Sequence, residues 1–128
     1  MPQTEILLFR KADKEIPLLG WLAELQQHEP KIWRKCLAMI LLLEAEGFQL
    51  RRPHAEHLGE GIYELRIKAK SVNYRILYFF HGKNIAILTH GFTKEAKVPP
   101  AEINYAKEAR KLVESDPECY TAIFGGDD

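Results

Sequence analysis

The feature that most constrains the fold is a change of hydrophobic period partway along the chain. From Pro17 to Gly47 apolar residues recur at the spacing of one helix face, whereas from Ile62 to Phe92 they alternate with polar ones as on a strand. A chain whose helical and strand-like runs come in blocks, rather than alternating singly, folds as α+β.

The boundaries follow from local signals. Thr4 to Arg10 (TEILLFR) is a short β-compatible run and predicts a first strand. Pro17 suits the first position of a helix reaching about His28, with Asp13 and Glu15 near its positive end and Leu18, Trp21, Leu22 and Leu25 as its apolar stripe. Pro30 opens a second helix carrying Ile32, Trp33, Cys36, Leu37, Ile40 and Leu43, with Gly47 as its stop. Ala38, Met39, Leu41 and Leu42 widen that apolar face, as in a helix held between another helix and a sheet. Phe48 to Gly61, with Pro53, Gly59 and Gly61, reads as a connecting loop. Ile62–Lys68, Val72–Phe80 and Asn84–Phe92 read as a three-stranded antiparallel meander. Pro99 and Pro100 open a last helix to about Glu114, with Ile103, Ala106, Ala109, Arg110 and Val113 on one face. The acidic tail from Ser115 is expected to fray, or to dock through Tyr120, Ile123 and Phe124. The predicted order is β-α-α-β-β-β-α, an antiparallel sheet of about four strands with the helices on one face.

Composition limits what such a fold can be for. The chain has 128 residues, 46% of them apolar, enough for one core in one domain over 1–128 without disulfide or metal support. The 18 basic and 18 acidic residues exclude a polycation, yet the distribution is uneven. Residues 1–50 carry 6 basic and 7 acidic groups, 51–97 carry 9 and 4, and 98–128 carry 3 and 7, so a cationic site is expected in the middle. Cys36 and Cys119, without CxxC spacing, fit reduced thiols. The first residues lack a basic-then-apolar leader, and the longest apolar run, Ala38–Leu43, is far below the ~20 residues of a membrane span, so a cytoplasmic protein is expected.

Alternation in the first long strand projects Glu64, Arg66 and Lys68 to one side and Tyr63, Leu65 and Ile67 to the other. Pairing by character sets Arg75 of the next strand beside Arg66 and Lys68, with Lys70 at the turn: a cluster sized for phosphate. A half-solvated antiparallel sheet also shows a charged face of this kind with no site behind it. Like charges directly opposite each other are destabilising, however, unless something anionic offsets them. Of the aromatic residues, alternation buries Tyr74 and Tyr78 and leaves Phe79, with Phe92, as the better candidates for stacking on a ligand.

The stretch GIYELRIKAKSVNYRILYFF followed by NIAILTHGFTKEAKVPPAEINYAKEAR resembles the toxins of bacterial toxin–antitoxin modules in the RelE/ParE superfamily, nearest the HigB-like branch with its phage-derived homologues. The likeness is strongest over 55–112, where YELR, YRILYFF and HGFxK stand in family order, and the two upstream helices fit the family's lead-in. It implies a cytoplasmic ribonuclease that enters the ribosomal A site and cuts mRNA without a metal or other cofactor. Its implied partners are mRNA, the ribosome and a cognate helix-turn-helix, HigA-like antitoxin, with no membrane. The family's basic strand residues correspond to Arg66 and Lys68, its arginine after tyrosine to Arg75, and its basic residue after the last strand to Lys94. Glu95 stands where many relatives have a second lysine, Lys97 is the next cation, and the tyrosine some relatives use is replaced near Pro100.

Metal-free RNA cleavage uses the substrate's 2′-OH as nucleophile, so the protein must remove its proton, stabilise a pentacoordinate phosphorane and protonate the leaving oxygen. Arg66 and Arg75 suit the phosphorane, because guanidinium donates paired hydrogen bonds and keeps its charge. Lys68 is a candidate base if neighbouring cations disfavour its charged form. His90 and His81 are alternative acid–base groups, and His90, Lys70, Phe79 and Lys97 are candidate RNA contacts. Two rival readings stand beside the nuclease: a non-enzymatic inhibitor of DNA gyrase, as in other members of the superfamily, and a prophage relic that binds a partner without cutting.

Overall fold

The computed structural model describes residues 4–69, 71–94 and 97–124, with Lys94 through its backbone alone. Its elements are β1 (Glu5–Phe9), α1 (Pro17–His28), α2 (Pro30–Glu46), β2 (Ala55–Gly59), β3 (Ile62–Ala69), β4 (Val72–His81), β5 (Ile85–Lys94), α3 (Pro100–Ser115), a single helical turn α4 (Pro117–Tyr120) and β6 (Thr121–Ile123). They form a six-stranded sheet in the order β2-β3-β4-β5-β1-β6. The class is α+β, as the blockwise period requires.

The sheet differs from the expected one in three respects. It is mixed, because β1 runs parallel to β5 and pairs Glu5 with Ile85 through to Leu8 with Leu88. It is longer by two strands at its edges. Residues 55–59, inside the expected connecting loop, pair with β3, and residues 121–123, inside the expected fraying tail, pair with β1. Finally, helices cover both faces rather than one. Ile6 and Leu8 of β1, Leu65 and Ile67 of β3, and Ile76 and Tyr78 of β4 pack against Leu18, Leu22 and Leu25 of α1 and Cys36, Ile40 and Leu43 of α2. The intervening residues Phe9, Ile62, Leu77, Phe79 and Ile87 pack against Ala106, Ala109 and Val113 of α3. Since alternate residues of central strands are apolar on both sides, each face needs a cover.

Two glycines fix how the layers meet. Gly47 ends α2 with φ +55, and a Cβ there would run into the Thr4 side chain. Gly91 of β5 lies against the ring of Trp21, which a Cβ would overlap, so α1 sits directly on the strand. Among the described residues no helix is long and apolar enough to cross a membrane.

Candidate functional site: a carboxylate-held arginine pair

Register decides which charged side chains meet. β3 and β4 pair Glu64 with Leu77, Arg66 with Arg75, and Lys68 with Asn73. On the next strand out, Glu56 of β2 pairs with Glu64; on the other side, Arg75 pairs with Phe92 and Asn73 with Lys94. The α3 side of the sheet therefore carries successive rows: an acidic row at Glu56 and Glu64, an arginine row at Arg66 and Arg75, and an outer row with Lys68 and the backbone position of Lys94. Arg75 stands beside Arg66, as pairing by character predicts.

Two arginines opposite one another repel, and a carboxylate offsets the repulsion. Glu64, 1% exposed, accepts from Arg66 Nη2 at 2.6 Å and from Arg75 Nη1 at 2.9 Å. Arg66 Nη2 also reaches Glu56 at 2.8 Å, and Glu56 in turn accepts from Arg52 at 2.6 Å. The Arg52 hydrogen bond foremost, with Arg66 adding to it, holds the Glu56 carboxyl below the ordinary carboxylate value. Arg75 is buried and held by Glu64 in one orientation, while Arg66 is about a third exposed. Among the described residues three arginines stand against two carboxylates, a cluster far less cationic than the strand residues read without Glu64. Alternation along β3 places Glu64 on this face without showing its role; an acid two residues from Arg66, on the strand that pairs with Arg75, is the signal for it.

The network opens into a cleft of about 390 Å³, walled by Glu56, Glu64, Arg66 and Arg75 on the sheet side and by Lys97, Val98 and Ile103 on the α3 side. A second cleft, about 640 Å³, lies between α2 and the β3–β4 hairpin and includes Lys35, Met39, His54 and Lys68; Arg66 borders both.

The other expected site residues divide. Lys68 is exposed in the larger cleft and Lys97 is exposed in the smaller. Phe79 is completely buried against the α3-side core, so its ring is out of reach of a base; α3 covers the face that alternation alone leaves open. Phe92 is half-buried and stacked on His90 at 5.6 Å between centroids. His81 ends β4 at the far end of the strand from Arg75, paired with Ile85. Lys70 and the Lys94 side chain lie outside the described residues.

His90 takes its position from a bulge. Tyr78 pairs with Leu88 and Leu77 with His90, so Thr89 has no partner across the strand and the alternation reverses. Leu88 consequently faces α1 and α2, while His90 faces α3, where its Nε2 lies 2.8 Å from Glu102 and its ring 4.5 Å from that of Tyr105. Burial lowers its pKa, opposed by the Glu102 hydrogen bond. In the neutral ring Nε2–H donates to Glu102, and Nδ1 lies 2.9 Å from the Thr89 hydroxyl, which donates to the Leu77 carbonyl at 3.2 Å. His90 thus fastens α3 to β5 and does not line either cleft.

Comparison with known proteins agrees with this architecture. No curated protein matches the sequence. Residues 23–111, which are 89 of the 128 and run from within α1 through most of α3, match the family described as phage derived protein Gp49-like (DUF891). The match takes in every residue of the arginine–carboxylate network, and the chain belongs to this phage-derived Gp49-like family, a family of RelE/ParE-like toxins.

Proposed function

We propose that the protein is the toxin of a HigB-like toxin–antitoxin module and cleaves mRNA on the ribosome without a metal, by attack of the RNA 2′-OH on the adjacent phosphate. The observation that carries this reading is the Arg66–Arg75 pair, held by buried Glu64 at the wall of an open cleft. A phosphoryl transition state gains charge on its equatorial oxygens, and donors fixed beforehand stabilise it without reorganising during the reaction. Glu64 supplies that fixation for Arg75, whose burial also removes competing water. Arg66, partly exposed and bordering both clefts, meets the scissile phosphate from the solvent side.

Lys97, exposed in the smaller cleft beside the arginine pair, suits a neighbouring phosphate. In its neutral form Lys68 removes the 2′-OH proton, the 5′-oxygen departs as its bond to phosphorus breaks and takes a proton from water, and Lys94, in the same outer row by register, adds a further cation as the resemblance implies. A helix-turn-helix, HigA-like antitoxin is the partner that would silence the toxin, and the cytoplasm is where it would act.

Induced expression followed by mapping of new mRNA 5′ ends tests the reading. Cuts appearing within translated codons, and abolished when translation is blocked, support it. Growth arrest with intact mRNA and inhibited gyrase would replace it with the non-enzymatic alternative.

A further inference from the structure

We propose that the larger cleft, between α2 and the β3–β4 hairpin, is a nucleotide subsite that takes the base and phosphate of the residue next to the one held by the arginine pair. The inference rests on the RNA-cleaving reading above and extends it to Lys35, Ala38, Met39 and His54, which that reading leaves idle. At about 640 Å³ the cleft lies within the range of pockets that enclose small ligands. Its floor is apolar, formed by Ala38 and Met39 of α2 and by Ile67 of β3, while Lys35, His54 and Lys68 bring nitrogen donors from three different segments to its walls. A flat heterocycle joined to a phosphate needs that combination: apolar contact for its faces and cationic donors for its anion.

Arg66 links this cleft to the smaller one. Its Nη2 is occupied by both carboxylates, whereas its Nε is buried and has no hydrogen-bond partner among the described residues. The side chain as a whole is about a third exposed and borders both clefts, so its outer guanidinium edge can donate to a backbone phosphate that passes from one cleft to the other. No other class of RNA contact requires an apolar floor here, since phosphates alone would be served by exposed lysines.

The test uses the full chain and a trinucleotide RNA with 2′-O-methyl groups, which cannot be cut, alongside the same trinucleotide abasic at one terminal position. Ala38 is exposed on α2, so Ala38→Trp fills the cleft without entering the core. The expected result is an affinity loss of about tenfold for Ala38→Trp, an equal loss for the abasic probe on the unmodified protein, and little further loss when the two are combined. Shifts of the Ala38 and Met39 methyl signals on titration with the intact trinucleotide provide a reading on the unmodified protein, should the variant fold poorly. If affinity and methyl signals are unaffected while Arg66→Ala still weakens binding, the subsite is overturned and the RNA reading survives. If the unmodified protein binds no trinucleotide, the subsite is overturned, and cleavage on mRNA-programmed ribosomes decides the RNA reading separately. If an acidic peptide with apolar residues, and not the RNA, moves the same methyl signals, the cleft belongs to a protein partner and the subsite is overturned.

Discussion

Glu64 is the residue on which the site's architecture depends. Replacing it with Gln keeps its shape but leaves buried Arg75 facing a neutral amide with Arg66 directly across the strand. Breaking a buried pair by neutralising one partner costs roughly 3–5 kcal/mol, and the exposure of Arg66 to solvent favours the lower end, about 3. Glu56→Gln, at a site more than a quarter exposed, should cost less than about 1 kcal/mol. Urea-denaturation midpoints of the two variants check the contrast. In the same geometry Arg75→Ala removes a buried partner of Glu64 and disturbs the fold, so Arg66→Ala is the cleaner probe of chemistry. His90 gives a pH dependence. Its folded pKa is lowered, chiefly by burial, from 6.5, so the unfolded chain binds more protons in that range. Its contribution is present above about pH 6.5 and is lost as pH falls through the folded value. Denaturation between pH 5 and 8 should show a shallower pH slope in His90→Gln than in the unmodified chain; identical slopes would remove His90 from the account. The thiols also separate, because burial pushes Cys36 up to about 12 while Cys119 is exposed. Ellman's reagent should label one thiol in the native protein and both after unfolding.

At the scale of elements, paired glycines test how α1 meets the sheet. Gly91→Ala forces a methyl into the Trp21 ring and should destabilise by roughly 1–3 kcal/mol, whereas Gly20→Ala, in exposed α1 with open space around it, should stabilise by up to about 1 kcal/mol. Opposite signs in thermal denaturation are the expected outcome. The three long helices were legible in the sequence because proline starts, a glycine stop and a sustained apolar period coincide at Pro17, Pro30, Gly47 and Pro100. β2 was not, since five residues at a sheet edge with exposed His57 and half-buried Glu56 present no clean alternation. β6 has only three residues, and its pairing with β1 joins the two ends of the chain, which no local pattern encodes. The Thr89 bulge is invisible for a related reason: it depends on the register of β5 against β4, and that register decides which face His90 occupies.

At the scale of the whole molecule, a chain with no net charge holds two arginines side by side by internal compensation. The cationic middle segment was readable from charge counts, and the Arg66–Arg75 juxtaposition from alternation. The covering of the second face by α3 was not, and it takes Phe79 out of the candidate RNA contacts and leaves Arg66 between two open clefts. The central claim is that this surface performs metal-free phosphoryl transfer, and single-turnover cleavage on mRNA-programmed ribosomes tests it most directly. The predicted result is product RNA ending in 2′,3′-cyclic phosphate, with a rate lowered about 10²–10³-fold by Arg66→Ala in a variant whose fold is intact. Products ending in 3′-hydroxyl and 5′-phosphate, or an undiminished rate from that variant, would contradict the account.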